Sequence, residues 1–250
     1  MKIKDKGIFL HGRILGNSNL LTTFFTENNG LFTGLIKNGA TKKKRAVYQT
    51  GNIFELNWSA RLEEHLGLFT PKLEKGQSFE LISTPQKLNI INSISFTLKN
   101  ILAEKEVHQG LYYHTLSLIE KITDKKLTLL SKEETYRLTL KNYINWEIAF
   151  LAEIGFGLDF EKCNATGTTE NLKYLSPKTG KAICEDAGKQ FEDKLFLIPD
   201  FILNKTEPST EELKDLFNIN NFYLRKNALR YCDEEKTQKL LTLREKILNK

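Results

Sequence analysis

Apolar and polar positions alternate with the period of strands over the first quarter of the chain, and from about residue 84 they recur with the period of helices. Gly7–Leu15 sets Ile8, Leu10 and Ile14 against His11 and Arg13, and Gly16-Asn17-Ser18-Asn19 is a turn. Leu20–Thr26 alternates Leu20, Thr22 and Phe24 with Leu21, Thr23 and Phe25; Asn28-Asn29-Gly30 then marks a hairpin before Leu31–Lys37. Ile53–Ala60 puts Phe54, Leu56 and Trp58 on one face, and Leu66–Lys72 supplies a fifth strand. Five short strands whose longest connection (residues 38–51) falls between the third and fourth predict an OB-fold barrel over residues 1–80. A five-stranded meander or an SH3-like barrel has the same rhythm.

Thr84-Pro85 is a cap followed by proline at the first helical position, and Leu88, Ile91, Ile94, Leu98, Ile101 and Leu102 form the stripe behind it. A second helix is expected over about residues 108–123, with Leu111, Thr115, Leu118, Ile119 and Ile122 inward. Ser131-Lys132-Glu133-Glu134 is a capping box for a third, which carries Leu138, Trp146, Ala149 and Leu151 and stops at Gly155. Ser209-Thr210-Glu211-Glu212 is another capping box, and residues 234–249 read as a terminal amphipathic helix. The fold class is therefore α+β and multidomain: a barrel (1–80), a mainly helical body (81–158 and 201–250), and an irregular insertion (159–200).

Charge changes the picture. Residues 1–62 hold 10 Lys/Arg against 3 Asp/Glu, a net of +7, while the other 188 hold 27 against 28, a net of −1, so the positive excess sits in the first quarter of the chain. Within it, Lys42-Lys43-Lys44-Arg45 follow Asn38-Gly39 in a turn-rich connection. Four adjacent cations repel one another, and a polyanion relieves that cost. The alternative is a solvated loop that guards a sheet edge. Hydrophobic content of 40% and charged content of 27% are those of an ordinary globular chain. No apolar run is long enough to span a bilayer, and the start Met1-Lys2-Ile3-Lys4 lacks a signal-peptide pattern. Three cysteines fit a reducing compartment, so a cytoplasmic location is expected.

The insertion carries Cys163-Asn164-Ala165-Thr166 and Cys184-Glu185-Asp186-Ala187, with 17 residues between Thr166 and Cys184. That is the spacing of a four-cysteine zinc ribbon in which the second cysteine of each knuckle has become Thr or Ala. Two thiolates do not close a tetrahedral site, and the four histidines (His11, His65, His108, His114) lie outside the segment. A degenerate ribbon without metal is expected; a partial site completed by a distant His or by Cys232 is the alternative. No Walker loop or credible Cys-His pair is present, which argues against an enzyme.

Several segments in order carry a resemblance: Gly7-Ile8-Phe9-Leu10, Gly34-Leu35-Ile36-Lys37-Asn38-Gly39-Ala40, Trp58-Ser59-Ala60-Arg61-Leu62, Glu153-Ile154-Gly155-Phe156-Gly157, Tyr174-Leu175-Ser176-Pro177 and Phe222-Tyr223-Leu224-Arg225-Lys226. In these the chain resembles the RecO family of bacterial DNA repair and recombination mediators, particularly its alphaproteobacterial form. It departs from the family at Asn38, where Lys is frequent, at Thr41, where Arg is common, and at Thr50, where Pro is frequent.

The resemblance implies binding of single- and double-stranded DNA and annealing of complementary strands. It also implies action with RecR in loading RecA onto strands covered by single-strand-binding protein, with no bond chemistry, no cofactor and no membrane. On that reading Lys42, Lys43, Lys44 and Arg45, with Lys37 and Arg13, grip phosphates. Arg61 joins them from the loop between the fourth and fifth strands, unless it pairs with Glu63 or Glu64. Arg225, Lys226 and Arg230 extend the path or form a solvated face. Phe32, Tyr48 and Trp58 are the stacking candidates, with barrel core as the alternative. The acidic tail of single-strand-binding protein is expected in a basic-rimmed apolar groove of the helical body. An RNA-binding barrel of translation or tRNA handling is the rival reading.

Overall fold

A computed structural model describes residues 1–62 and 65–249, and for Tyr231 the backbone. The elements are β1 (Lys2–Leu15), β2 (Asn19–Thr26), β3 (Gly30–Ile36), α1 (Lys42–Arg45), β4 (Ile53–Ser59), β5 (Leu68–Lys75), α2 (Ser78–Leu81), α3 (Pro85–Ile101), α4 (Gln109–Ile122) and α5 (Lys132–Glu153). They continue with β6 (Leu172–Leu175), β7 (Ala182–Cys184), α6 (Glu185–Gly188), β8 (Phe196–Leu197), α7 (Asp200–Asn204), α8 (Thr210–Tyr223) and α9 (Glu234–Leu248). The chain divides into two compact units, Met1–Leu129 with the segment from Glu234 onward, and Leu130–Asp233.

In the first unit the strands close into a barrel in the order β1-β2-β3-β5-β4. All pairings are antiparallel except the closing one, where Leu35 of β3 meets Leu68 of β5 in parallel. Phe9, Leu20, Phe24, Phe32, Ile36, Phe54, Leu56, Trp58 and Phe69 fill the interior. Their rings meet edge-on, as in Phe24–Phe69 (5.2 Å) and Phe32–Phe69 (5.3 Å), the arrangement the ring quadrupoles favour. Gly34 makes room for this: a Cβ there would stand 2.5 Å from the Phe69 ring.

β1 departs from simple alternation. It starts at Lys2, five residues before the expected Gly7, and a register shift between Phe9 and His11 lets Ile8, Phe9 and Leu10 all be buried. The bulge inserts Leu10 as an extra residue and shifts the alternation beyond it by one; Phe9 enters the barrel, and the Leu10 carbonyl accepts the Ser95 hydroxyl of α3 (2.8 Å). Beyond the bulge Ile14 is exposed, contrary to the expected inward face.

Asn52, buried between α1 and β4, ties three segments together. Its Nδ2 donates to the Val47 carbonyl (2.8 Å), and its Oδ1 accepts the backbone N–H groups of Gln77 (2.7 Å) and Ser78 (2.9 Å) at the start of α2. Thr84 caps α3 by accepting the Lys87 N–H, with Pro85 behind it. α3 buries Ile90, Ile91, Ile94 and Leu98, whereas Leu88, placed in the stripe by spacing, is exposed. α9 packs along α3, burying Leu240, Leu241 and Ile247.

In the second unit Ser131 and Glu134 form the expected capping box of α5, and Ser209 and Glu212 that of α8. The two helices pack through Tyr143 and Phe217 (6.3 Å) among Leu140, Ile144, Leu213 and Leu216. A three-stranded sheet in the order β7-β6-β8 occupies the irregular segment. The Tyr223 hydroxyl at the end of α8 donates to the Ser176 carbonyl (2.6 Å) and pins the adjoining turn. Among the described residues no helix is long and apolar enough to cross a membrane.

Candidate nucleic-acid interface

Lys42–Arg45 form a single helical turn, α1, and not the irregular loop that their neighbours predict. The four cations need no propensity of their own, because the ends of the segment are held. The Ala40 N–H donates to the Ser18 carbonyl (2.8 Å), and Asn38, at φ +52, sits against Ser18 and Asn19 of the β1–β2 turn. Downstream, Val47 and Tyr48 pack on the barrel core, with the Tyr48 ring stacked at 6.1 Å on Phe9. Burial raises the pKa of the Tyr48 phenol, so it stays neutral.

All four α1 side chains are exposed, and none makes an ion pair among the described residues. The Lys44 ammonium reaches only the Lys37 carbonyl (3.4 Å). Cations held on an anchored turn without carboxylates leave their charge available to an outside anion. Beside them a hollow of about 210 Å³ is lined by Phe9, His11, Gly12, Arg45, Tyr48 and Thr50. Arg13 follows on β1, exposed. Lys37 is tied to α1 through the Lys44 ammonium, and Gly12, the neighbour of Arg13, lines the same hollow as Arg45.

The remaining candidates divide. Arg61 is exposed just beyond β4; its suggested partners Glu63 and Glu64 lie outside the described residues. Arg225, Lys226 and Arg230 belong to the second unit, where a π-helical turn (Leu224–Ala228) continues α8. Lys226 spends two of its three N–H donors on the carbonyls of Pro177 (2.7 Å) and Lys178 (3.0 Å). Phe32 and Trp58, candidates for base stacking, are 3% and 2% exposed, and the Trp58 indole donates to the Leu66 carbonyl (3.2 Å). Of the three aromatics only Tyr48 is partly exposed.

Two further cations have no signal in the sequence. Lys99 of α3 and Lys239 of α9 line, with His11, a cleft of about 440 Å³. Burial and then the Lys99, Lys239 and Arg13 charges lower the pKa of His11; burial and then Lys239 lower that of Lys99. Positions 140 residues apart give no signal of proximity until the packing of α9 on α3 is known.

Cys163, Thr166 and Cys184, three of the four positions of the expected ribbon, lie together. The Cys163 thiol accepts the Cys184 N–H (3.3 Å), and the Cys184 thiol lies 3.7 Å from the Thr166 hydroxyl. Burial pushes the Cys163 pKa up, but hydrogen bonds from Thr166, Cys184 and Ala165 outweigh it and bring the thiol to about 6. A metal-bound thiolate is stabilised by the same kind of donors. The donor set, however, is two sulfurs with Thr and Ala at the other two positions. No group of three His, Cys, Asp or Glu among the described residues is placed to hold an ion. These residues do not fit a structural zinc.

A closed five-stranded barrel in one compact unit, with an exposed row of cations beside it, and a helical second unit carrying a small three-stranded sheet define a two-unit α+β protein. The chain belongs to the recombination protein O family: the model of the family's N-terminal region matches residues 1–74 and that of its C-terminal region residues 83–231. Among similar curated proteins is the DNA repair protein RecO of Rickettsia bellii (strain OSU 85-389), 35% identical over 224 residues, which cover 89% of this chain and 88% of the relative. The DNA repair protein RecO of Orientia tsutsugamushi (strain Ikeda) is 35% identical over 232 residues, 92% of this chain and 91% of the relative.

Proposed function

We propose that the chain is a DNA repair and recombination mediator that binds single- and double-stranded DNA through its barrel and anneals complementary strands. The observation that carries this reading is the row Lys42–Arg45, exposed on an anchored turn and without an ion pair among the described residues, in a chain of the recombination protein O family. We read the barrel as an OB-fold; its strand order and single parallel closure support that. Residues 1–80 are then the DNA-binding segment, 81–158 and 201–250 the helical body, and 159–200 a ribbon without metal.

Annealing requires a grip that ignores sequence and leaves base edges open to the complementary strand. Cations on α1, with Lys37 and Arg13 beside them and Arg61 at the far end of β4, neutralise phosphates without reading bases. Because Phe32 and Trp58 are sealed in the core, they do not sequester bases, and a bound strand keeps its pairing edges free. On the second unit Arg225, Lys226 and Arg230 are the candidate phosphate contacts, and the Lys226 ammonium already donates to the Pro177 and Lys178 carbonyls. The working partners on this reading are RecR, the acidic tail of single-strand-binding protein and, through them, RecA, in the cytoplasm at the nucleoid.

The test is annealing of two complementary labelled strands followed by energy transfer, naked and coated with single-strand-binding protein, with and without RecR. The chain accelerates pairing, and changing Lys42, Lys43, Lys44 and Arg45 to Ala removes the acceleration. No acceleration by the unaltered chain, or displacement of DNA by RNA of the same sequence at equal concentration, defeats the reading in favour of an RNA-binding barrel.

A further inference from the structure

The cleft between β1, α3 and α9 lies wholly within the first compact unit, and its chemistry is one-sided. His11, Lys99, Lys236 and Lys239 line it with one carboxylate, Glu235. Lys99 and Lys239 make no ion pair among the described residues, and the Lys239 ammonium stands 5.6 Å from the centre of the Phe96 ring. Lys99 and Lys239 are exposed, and both line one concavity together with the His11 imidazole. Such a cleft stores like-charge repulsion that an entering anion relieves.

The cleft is also continuous with the α1 surface. His11 and Thr50 line both it and the hollow under Arg45 and Tyr48, so the two concavities share a wall. The uncharged part of the lining mixes Thr50, Asn92, Ser95 and Asn100 with Leu10, Phe96 and Leu243, so polar groups for a phosphodiester stand beside an apolar floor for its sugar.

We propose that the His11–Lys99–Lys239 cleft is a second phosphate-binding station for the nucleic-acid strand gripped by α1. It rests on the DNA-binding reading above and extends it: a strand leaving the α1 cations passes His11 and is held again between α3 and α9. The contiguity with α1 favours a polynucleotide over an acidic peptide. Two stations on one rigid wall keep a strand extended, which suits pairing with a second strand.

The experiment compares three proteins, unaltered, Lys99→Gln/Lys239→Gln, and Lys42–Arg45 all changed to Ala, in salt titrations of a long labelled oligothymidylate. Each phosphate contact contributes about 0.7 to the slope of log affinity against log salt for single strands, so the double Gln variant is expected to lose about 1 to 1.5. In parallel, the His11 imidazole resonance of the unaltered chain, assigned with His11→Gln, shifts on oligonucleotide addition with its pKa moved upward. Both lysines are exposed and Gln keeps their stems, and the resonance arm needs no variant at the lysines.

Unchanged slope with an unmoved His11, while the α1 variant loses binding, overturns this station and leaves the proposed function standing. An unaltered chain that binds no DNA overturns both. Loss of poly-glutamate binding with DNA binding intact in the Gln variant overturns the inference in favour of an acidic protein partner.

Discussion

Changing Asn52 to Ala removes three hydrogen bonds at once, to the Val47 carbonyl and to the N–H groups of Gln77 and Ser78. The Gln77 N–H bond is fully buried, and a buried donor left without a partner costs about 1–3 kcal/mol. The other two are partly wet and cost about 0.5–1.5 kcal/mol each. The barrel unit should therefore lose about 2–6 kcal/mol. With a urea m-value of about 2 kcal/mol/M, its midpoint moves down by roughly 1–3 M.

The assay follows Trp58 fluorescence in a Trp146→Phe background, since the chain has two tryptophans and only Trp58 is in the barrel. Asn57→Ala, at an exposed position of β4, is the control and stays within about 0.5 kcal/mol of its parent. A midpoint shift for Asn52→Ala no larger than that of the control would refute the reasoning, because it would mean that water replaces all three bonds without loss.

Other consequences are as direct. Gly34→Ala drives a methyl group against the Phe69 ring and should cost about 1–3 kcal/mol by the same fluorescence measurement, whereas a neutral result would mean that the core shifts freely. His11 has a folded pKa below its ordinary value, through burial and then the Lys99, Lys239 and Arg13 charges, with Glu235 lining the same cleft. The unfolded chain therefore takes up this proton first as pH falls, so the stability is intact above about pH 6.5 and declines from there toward the folded pKa. His11→Gln should remove that part of the acid-side loss, and equal losses in both proteins would contradict it. Thr166→Cys/Ala187→Cys should restore four thiolates and bind one zinc per chain by elemental analysis, while the unaltered chain binds none after dialysis. Zinc in the unaltered chain would refute the donor-set argument. Ser131→Ala should cost about 1 kcal/mol in the unfolding of the second unit, read from Trp146, because the hydroxyl that accepts the Glu134 N–H goes while the Ser131 backbone N–H still donates to the Glu134 carboxylate.

The elements easiest to read were those whose signal is local. The Ser131 and Ser209 boxes are each complete within four residues, and the chain folds them as read. The alternation in β4 has one face in the barrel, so Phe54, Leu56 and Trp58 are inside as expected. β1 was misread past Leu10 because a bulge changes the period by one residue, and no residue type announces it. Leu88 was placed inward by spacing, yet its helix buries the Ile90 face instead, a choice made by its neighbours and not by the helix itself. The helical turn of α1 was invisible because four lysine-rich positions carry no apolar period; what holds it are the anchors at Ala40, Val47 and Tyr48. The cations of α1 were legible as a run, but Lys99 and Lys239 were not, since only α3–α9 packing unites them.

The central claim is that α1 meets phosphates. Its most direct measurement is the salt dependence of single-stranded DNA binding for the unaltered chain and for the variant with Lys42, Lys43, Lys44 and Arg45 all changed to Ala. Four phosphate contacts at about 0.7 each predict a steep slope in the unaltered chain, flattened by about three in the variant. Parallel lines of equal slope for the two proteins would contradict the account and place the DNA path away from α1.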